Sequence, residues 1–399
     1  MKPETLRAAQ DRALFESLSQ EQAVISVNKQ IAKQEKQGPS GTRRRLLATS
    51  VRLSKTMAPD LNRIAQECIE KLDVKIPTEL YAYNSAQFNA ACVKPEDGKL
   101  FIMFSSALLD AFNYDELQFV MGHELGHFIY NHHAIPVGYL LQGEQRVSPE
   151  LALRLTSWSR YAEFSCDRVG AYCVNNFDAV ARSLFKLASG VTSNIVKFDR
   201  SDFLKQIEDM RIEDESLSRS ANVQDWFMTH PFSPLRVKAL HLFHQSTLMK
   251  ANGASLTDLE LGIDGLMTFM EPSYLQAKTN EAKVMRNMLF AGVLAIANAD
   301  QHISAAELAV FEQFFGKHQF SEKLDLDKIK QRIPARAEAV VAQVSVPKRM
   351  QLIRDLCIMA SCDGGIKESE YQELNEISQL LQVPPIFVEQ VLSGFDNSR

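Results

Sequence analysis

His123 and His127 stand four residues apart in MGHELGHFIY (121–130), with Glu124 directly after the first. On an α-helix, positions i and i+4 share a face one turn apart, so two imidazoles can hold one metal ion through ring nitrogens, as tetrahedral zinc requires. Glu124 lies one position round from His123. There it flanks the ion without ligating it and can take a proton from a metal-bound water. The bland alternative is a helix that carries solvated histidines.

The helix that would position these groups is legible. In NYDELQFVMGHELGHFIYNHH, Asn113 is an N-cap with Glu116 three residues later, a capping-box arrangement. Leu117, Val120, Met121, Leu125 and Phe128 recur at helical spacing and are the expected buried stripe. Gly122 and Gly126 are poor helix formers, which points to a strand or substrate backbone passing close by, or to packing alone.

Two histidines hold zinc poorly, and a catalytic site generally adds a third protein ligand and an open water position. His133 lies six residues after His127, the third-ligand spacing of HExxHxxGxxH, but Tyr130 stands where that pattern needs Gly. His133 is therefore expected to continue the helix and point elsewhere. Glu163 in SRYAEFSCDRVGAY (159–172) is the better candidate, on a later helix that can lie against the first. Asp167, four residues on, can hydrogen-bond a ligating imidazole. The competing reading of this pair is ordinary surface carboxylates.

HELGH, then AEFSCDRVGAY, then HPFSPLRVKAL at 230–240, in that order, resembles the zinc metallopeptidase family of HtpX and the CAAX prenyl proteases. The resemblance covers roughly 60–245. It implies an α+β fold with a gluzincin-like core, in which a small sheet packs on the HExxH helix. It implies zinc held by His123, His127 and Glu163, with Glu124 as general base. His230 would steady the oxyanion or gate the site, and Arg236, the basic residue of the same segment, would contact substrate. Asn89 and Ala90 in FNAA correspond to an Asn-Ala on the strand edging the cleft, where an extended substrate pairs backbone to backbone. The embedded relatives carry membrane-spanning helices, which this chain lacks, so the resemblance implies a soluble version of the peptidase core.

Around these motifs, 399 residues exceed one ordinary core and predict two or three domains. Hydrophobic residues at 45% and charged residues at 23% describe a globular protein, and a net charge of −5 argues against a nucleic-acid partner. The N-terminus has no apolar stretch of signal-peptide length, and the longest apolar run, MLFAGVLAIA (288–297), is too short to span a bilayer. Six scattered Cys without a Cys-x-x-Cys pair fit reduced thiols in a cytoplasm. The expected organisation is an N-terminal helical arm (1–46), the metallopeptidase domain (47–250), a linker (251–282) and an all-helical domain (283–399). Within the second, one helix is expected over roughly 43–72. Strand-like runs follow at ELYAYN (79–84), FNAACV (88–93) and LFIMFS (100–105), with the turn KPEDGK before the last.

The C-terminal block repeats Asp-x-x-Ile-x-x-x-Glu as Asp300, Ile303, Glu307 and as Asp363, Ile366, Glu370, each between two helical runs. It resembles the tellurite-resistance TerB-like helical domain. That resemblance makes the two acidic turns candidates for a further divalent cation. The local alternative is helix capping, since Ser304 and Glu307 form S-x-x-E. The expectation as a whole is a cytoplasmic zinc endopeptidase acting on polypeptides, with a role in protein quality control and a C-terminal domain that regulates it or recruits a regulatory protein. The alternative is a metal-binding adaptor or chaperone-like module that holds unfolded segments without cutting. An intact Glu124 favours the enzyme.

Overall fold

The computed structural model describes residues 2–36, 41–142, 147, 149–193, 195–215, 228–270, 280–315, 320–321, 324–362 and 366–396. The chain divides into two compact units, one of residues 1–211 with 226–262 and one of residues 212–225 with 263–399. The first contains helices α1 (Ala9–Ser19), α2 (Gln22–Lys36), α3 (Thr42–Thr49) and α4 (Pro59–Lys71). Strands β1 (Val51–Arg52), β2 (Thr78–Tyr83), β3 (Ala90–Glu96) and β4 (Lys99–Ser105) form the sheet. Then come α5 (Ser106–Ala111), α6 (Tyr114–Ile129), α7 (Val137–Gln142), α8 (Pro149–Val174) and α9 (Phe177–Ser189), followed by α10 (Arg200–Glu215) and α11 (Ser233–Gln245). The fold is α+β: mostly helical, with one small sheet.

The expected helix over 43–72 is two helices. The chain becomes extended at Ser50 and passes through β1, and Pro59 opens α4 at a position where its missing N–H costs nothing. The strand order is β1-β2-β4-β3, with β2 parallel to β4 and the other pairs antiparallel. The turn between β3 and β4 is the dipeptide Asp97-Gly98, both at positive φ, which matches the twist of a tight hairpin. This leaves β3 on the edge of the sheet, beside α6.

Helix α6 begins as its sequence predicts: Asn113 caps the Glu116 N–H and Glu116 returns a bond to the Asn113 N–H. Its burial is broader than one stripe. Phe119 to Gly126 are all buried, while Leu117 and Phe128 are only partly covered. The reason is that α6 is enclosed by β3, α4, α8 and α9. The close passage that Gly122 and Gly126 allow is that of a helix, α8: a Cβ on Gly122 would lie 2.8 Å from Gly170 Cα, and one on Gly126 would lie 3.0 Å from Cys166 Cα. The N-terminal residues 1–46 group with the same unit, where Leu18 and Val24 share a core with Trp158 and Leu155 of α8.

The second unit has its own apolar core. Helix Asn280–Ala297 is buried along most of its length and packs on Val346–Ala360 and Glu368–Leu380. Part of the expected linker is ordered as helix Leu256–Met267. No helix among the described residues is long and apolar enough to cross a membrane.

Candidate active site

His123 and His127 project from α6 with their Nε2 atoms 3.3 Å apart. Glu163 on α8 completes a triangle, with Oε1 3.4 Å from His127 Nε2 and Oε2 3.5 Å from His123 Nε2. Ligands of a tetrahedral zinc at about 2.0–2.1 Å are separated by about 3.3 Å. The three atoms therefore fit the ion with little movement. The donor set of two imidazoles and one carboxylate suits zinc as well. Glu163 is also buried, and its Oε2 makes no hydrogen bond, only longer contacts to His123 and to Arg236, which leaves it a lone pair for a cation. Burial opposes its ionisation, yet the charges of His230 and His123 and the bond with His127 hold its carboxyl well below the usual range.

Asp167 supports this triangle from behind. Its Oδ1 accepts a hydrogen bond from His123 Nδ1 at 2.9 Å, which fixes the tautomer that leaves Nε2 free to ligate. Arg236 on α11 forks onto Asp167, with Nε 2.8 Å from Oδ2 and a terminal nitrogen 2.6 Å from Oδ1. The same guanidinium lies 3.4 Å from Glu163. Burial opposes the charge on Asp167, and the Arg236 pair outweighs it and holds the carboxyl below its ordinary value. Arg236 thus contacts both carboxylates, and it also lines the cavity in which substrate contact was expected of it. His230 places Nε2 3.6 Å from Glu163 Oε1, with Nδ1 bonded to Thr229 Oγ1 at 3.0 Å, and its side chain remains 64% exposed.

Glu124 is buried, and its Oε2 accepts the Cys92 N–H of β3 at 2.7 Å. The edge strand thus holds the carboxylate beside the triangle. Asn89 pairs with Ser105 at the end of β4, its carbonyl accepting the Ser105 N–H at 2.9 Å. Because antiparallel residues alternate in direction, Ala90 and Cys92 turn their backbone groups away from β4, toward the cleft. Asn89, Ala90, His123, Glu124, Glu163 and His230 all line one cavity of about 700 Å³.

The turn after α6 departs from expectation. The helix stops at Ile129, and Asn131 takes the left-handed conformation (φ 55°), which Asn tolerates better than most residues. The chain therefore folds back without the Gly of the longer motif. It returns His132 to the site, 3.0 Å from Nδ1 of His127, on the side away from the ligand triangle. His133 lines the cavity without joining the triangle, and burial pushes its pKa down to about 4. His132 was not marked by the sequence, since on a continuing helix it would face elsewhere. Asp11, which bonds to His132, also carries no local signal. Burial opposes the charge on Asp11, and the bonds and charges of His132 and Arg7 hold its carboxyl far below the usual range.

In the second unit, Glu307 Oε2 accepts the Ser304 N–H at 2.6 Å, and Glu370 Oε2 accepts the Lys367 N–H at 2.9 Å. Asp300 accepts the His302 N–H and pairs with Lys367 at 2.9 Å. Asp363 lies outside the described residues.

Residues 55–145 and 138–243 match peptidase family M48, the segment that holds HELGH, Glu163 and Arg236. This region is an M48 peptidase domain. Residues 286–391 match the tellurite resistance protein TerB. A plastoglobule-localized metallopeptidase 48 of the Arabidopsis thaliana chloroplast is 29% identical over 228 residues, 52% of this chain and 65% of its own length. A protease HtpX homolog of Helicobacter pylori is 23% identical over 216 residues, 45% of this chain and 65% of its own. The chain thus spans just under two thirds of each of these relatives. No solved structure matches.

Proposed function

We propose that the M48 domain is a zinc-dependent endopeptidase, with His123, His127 and Glu163 as ligands. The observation that carries this reading is Glu124. A site that only stored metal has no use for a buried carboxylate beside the ligand triangle and held by the edge strand. Zinc, when bound, supplies Lewis acidity and lowers the pKa of a water at its open position. Glu124 takes the proton of the attacking water and returns it to the leaving amine. His230, at the cavity wall, donates to the oxygen of the scissile carbonyl as negative charge develops there. Asp167 and Arg236 hold His123 and Glu163 in place.

Substrate is an extended polypeptide that adds to β3. Ala90 N–H and C=O and Cys92 C=O face the cleft, whereas the Cys92 N–H is already taken by Glu124. The apolar wall that includes Phe88, Val120 and Leu141 accommodates side chains of an unfolded segment, which fits a role in protein quality control. Cys68, Cys92, Cys166, Cys173 and Cys357 are thiols outside any disulfide, which supports a reducing compartment such as the cytoplasm. The TerB-like domain is assigned a partner-recruiting or regulatory role.

Zinc analysis with proteolysis of an unfolded substrate tests the reading. Glu124→Gln should keep one zinc and the fold while turnover falls about 100- to 10,000-fold. Full turnover in the zinc-replete variant would end the enzyme reading in favour of a metal-binding adaptor.

A further inference from the structure

A buried carboxylate on the first helix reaches the metal site by a route that the proposed mechanism does not use. Asp11 of α1 is 0% exposed, and its Oδ2 lies 3.2 Å from Nε2 of His132, 121 residues away in sequence. His132 Nδ1 in turn lies 3.0 Å from His127 Nδ1. With both rings neutral, one pattern of hydrogens satisfies the two contacts. An ionised carboxylate only accepts, so His132 carries its hydrogen on Nε2. Its Nδ1 is then an acceptor, and His127 must donate from Nδ1. That leaves the His127 Nε2 lone pair facing Glu163 and the metal position. Asp167 imposes the same tautomer on His123 directly.

We propose that Asp11 is a positioning residue for the zinc ligand His127, acting through His132, so that docking of the N-terminal helix and retention of zinc are linked. This rests on the zinc site proposed above. Three further donors bond the same carboxylate: Arg7 Nε (2.9 Å), Trp158 Nε1 (3.0 Å) and Ser165 Oγ (2.7 Å). The segment around it is fastened to the same helices. Ala8 N–H donates to Ser165 Oγ at 3.0 Å, and Tyr130, the C-cap of α6, donates its hydroxyl to the Pro3 carbonyl at 2.7 Å. The other polar group at His132 Nδ1 is Cys166 Sγ, at 3.6 Å. Withdrawal of residues 2–20 would remove Asp11 and free His132 to turn, leaving His127 without its orienting acceptor.

Competition of full-length protein with a chromophoric zinc chelator tests this. Asp11→Asn should weaken zinc binding about 10- to 100-fold, and His132→Gln by a similar factor, with the double variant no weaker than either single. Ser165→Ala removes a different donor from the same carboxylate. It should lower the melting temperature yet bind zinc within about threefold of wild type. A merely structural Asp11 would move Ser165→Ala and Asp11→Asn alike. If Asp11→Asn does not fold, His132→Gln carries the same expectation, because it leaves Asp11 paired with Arg7, Trp158 and Ser165. Folded variants with wild-type zinc affinity overturn the inference. So does a second zinc per chain that is lost in Cys166→Ser, since His132 would then be a ligand. Failure of the wild type to bind one zinc overturns the site reading instead.

Discussion

Glu163 closes the ligand triangle from a helix that shares no local sequence with the two histidines, so its removal separates metal binding from the integrity of α6. Glu163→Ala should lower zinc occupancy as read by metal analysis, whereas His133→Ala should leave it at wild type, because His133 lies outside the triangle. The reverse pattern would transfer the third ligand to His133. His230 poses a different question. Its ring faces Glu163 at 3.6 Å but is 64% exposed, as suits a group that meets substrate. His230→Ala should therefore cost about 10- to 100-fold in turnover with zinc content unchanged. A variant more active than wild type would make His230 a gating fourth ligand. At this scale the gathering of His123, Glu124 and His127 was legible from their local spacing, and that of Glu163 and Asp167 with them from the order of three motifs. Asp11 and His132 were not readable, since their roles arise from a left-handed Asn131 and a contact across 121 residues.

Between the elements, the geometry of the triangle depends on how closely α6 and α8 approach. Gly170 makes this sharpest: a Cβ there would lie 2.4 Å from the Phe119 carbonyl oxygen, a backbone atom that cannot swing away. Gly170→Ala should destabilise by about 1–3 kcal/mol in thermal melts and should lower zinc affinity too, because Glu163 rides on the displaced helix. Unchanged affinity would mean that α8 tolerates the shift without moving its ligand. The sheet has a separate anchor. Glu79 of β2 is held by Arg43, Tyr81 and Lys99, and although burial opposes its charge these partners bring its pKa down to about 2. A depressed carboxylate stabilises the fold above its unfolded pKa, near 4.5, and loses that contribution as pH falls toward about 2. Glu79→Gln should therefore be less stable than wild type by about 1–2 kcal/mol at neutral pH, discounted because solvent reaches Arg43 and Lys99. The gap should close on acidification through that window. Strands β2, β3 and β4 and the α6 cap were legible because apolar strand-like runs, an Asp-Gly turn and a capping box are local signals, whereas β1 was hidden inside an expected helix. The single-stripe expectation for α6 failed because four elements surround it, which no helical period reveals.

The chain divides into two units, and in the second the described residues of the acidic repeat have partners of their own. Ile303 and Ile366 pack on that core, while Glu307 and Glu370 turn back to accept backbone N–H groups at the starts of their helices. The two turns are neighbours: Lys367 of the second pairs with Asp300 of the first at 2.9 Å and with Glu370 at 3.3 Å. An ammonium thus already stands between the two carboxylates that a shared cation would need, and among the described residues no metal-holding group lies in this unit. A hard divalent ion would have to displace Lys367 and draw six or more oxygens from groups that are capping helices. Calorimetric titration of the zinc-loaded chain with calcium or magnesium should accordingly give no saturable heat. Asp300→Asn should leave the melting temperature close to that of wild type, as removal of a partly exposed ion pair does. Saturable heat that disappears in Asp300→Asn would reinstate a metal site in the turns. Its absence leaves the acidic repeat as the capping that starts two helices.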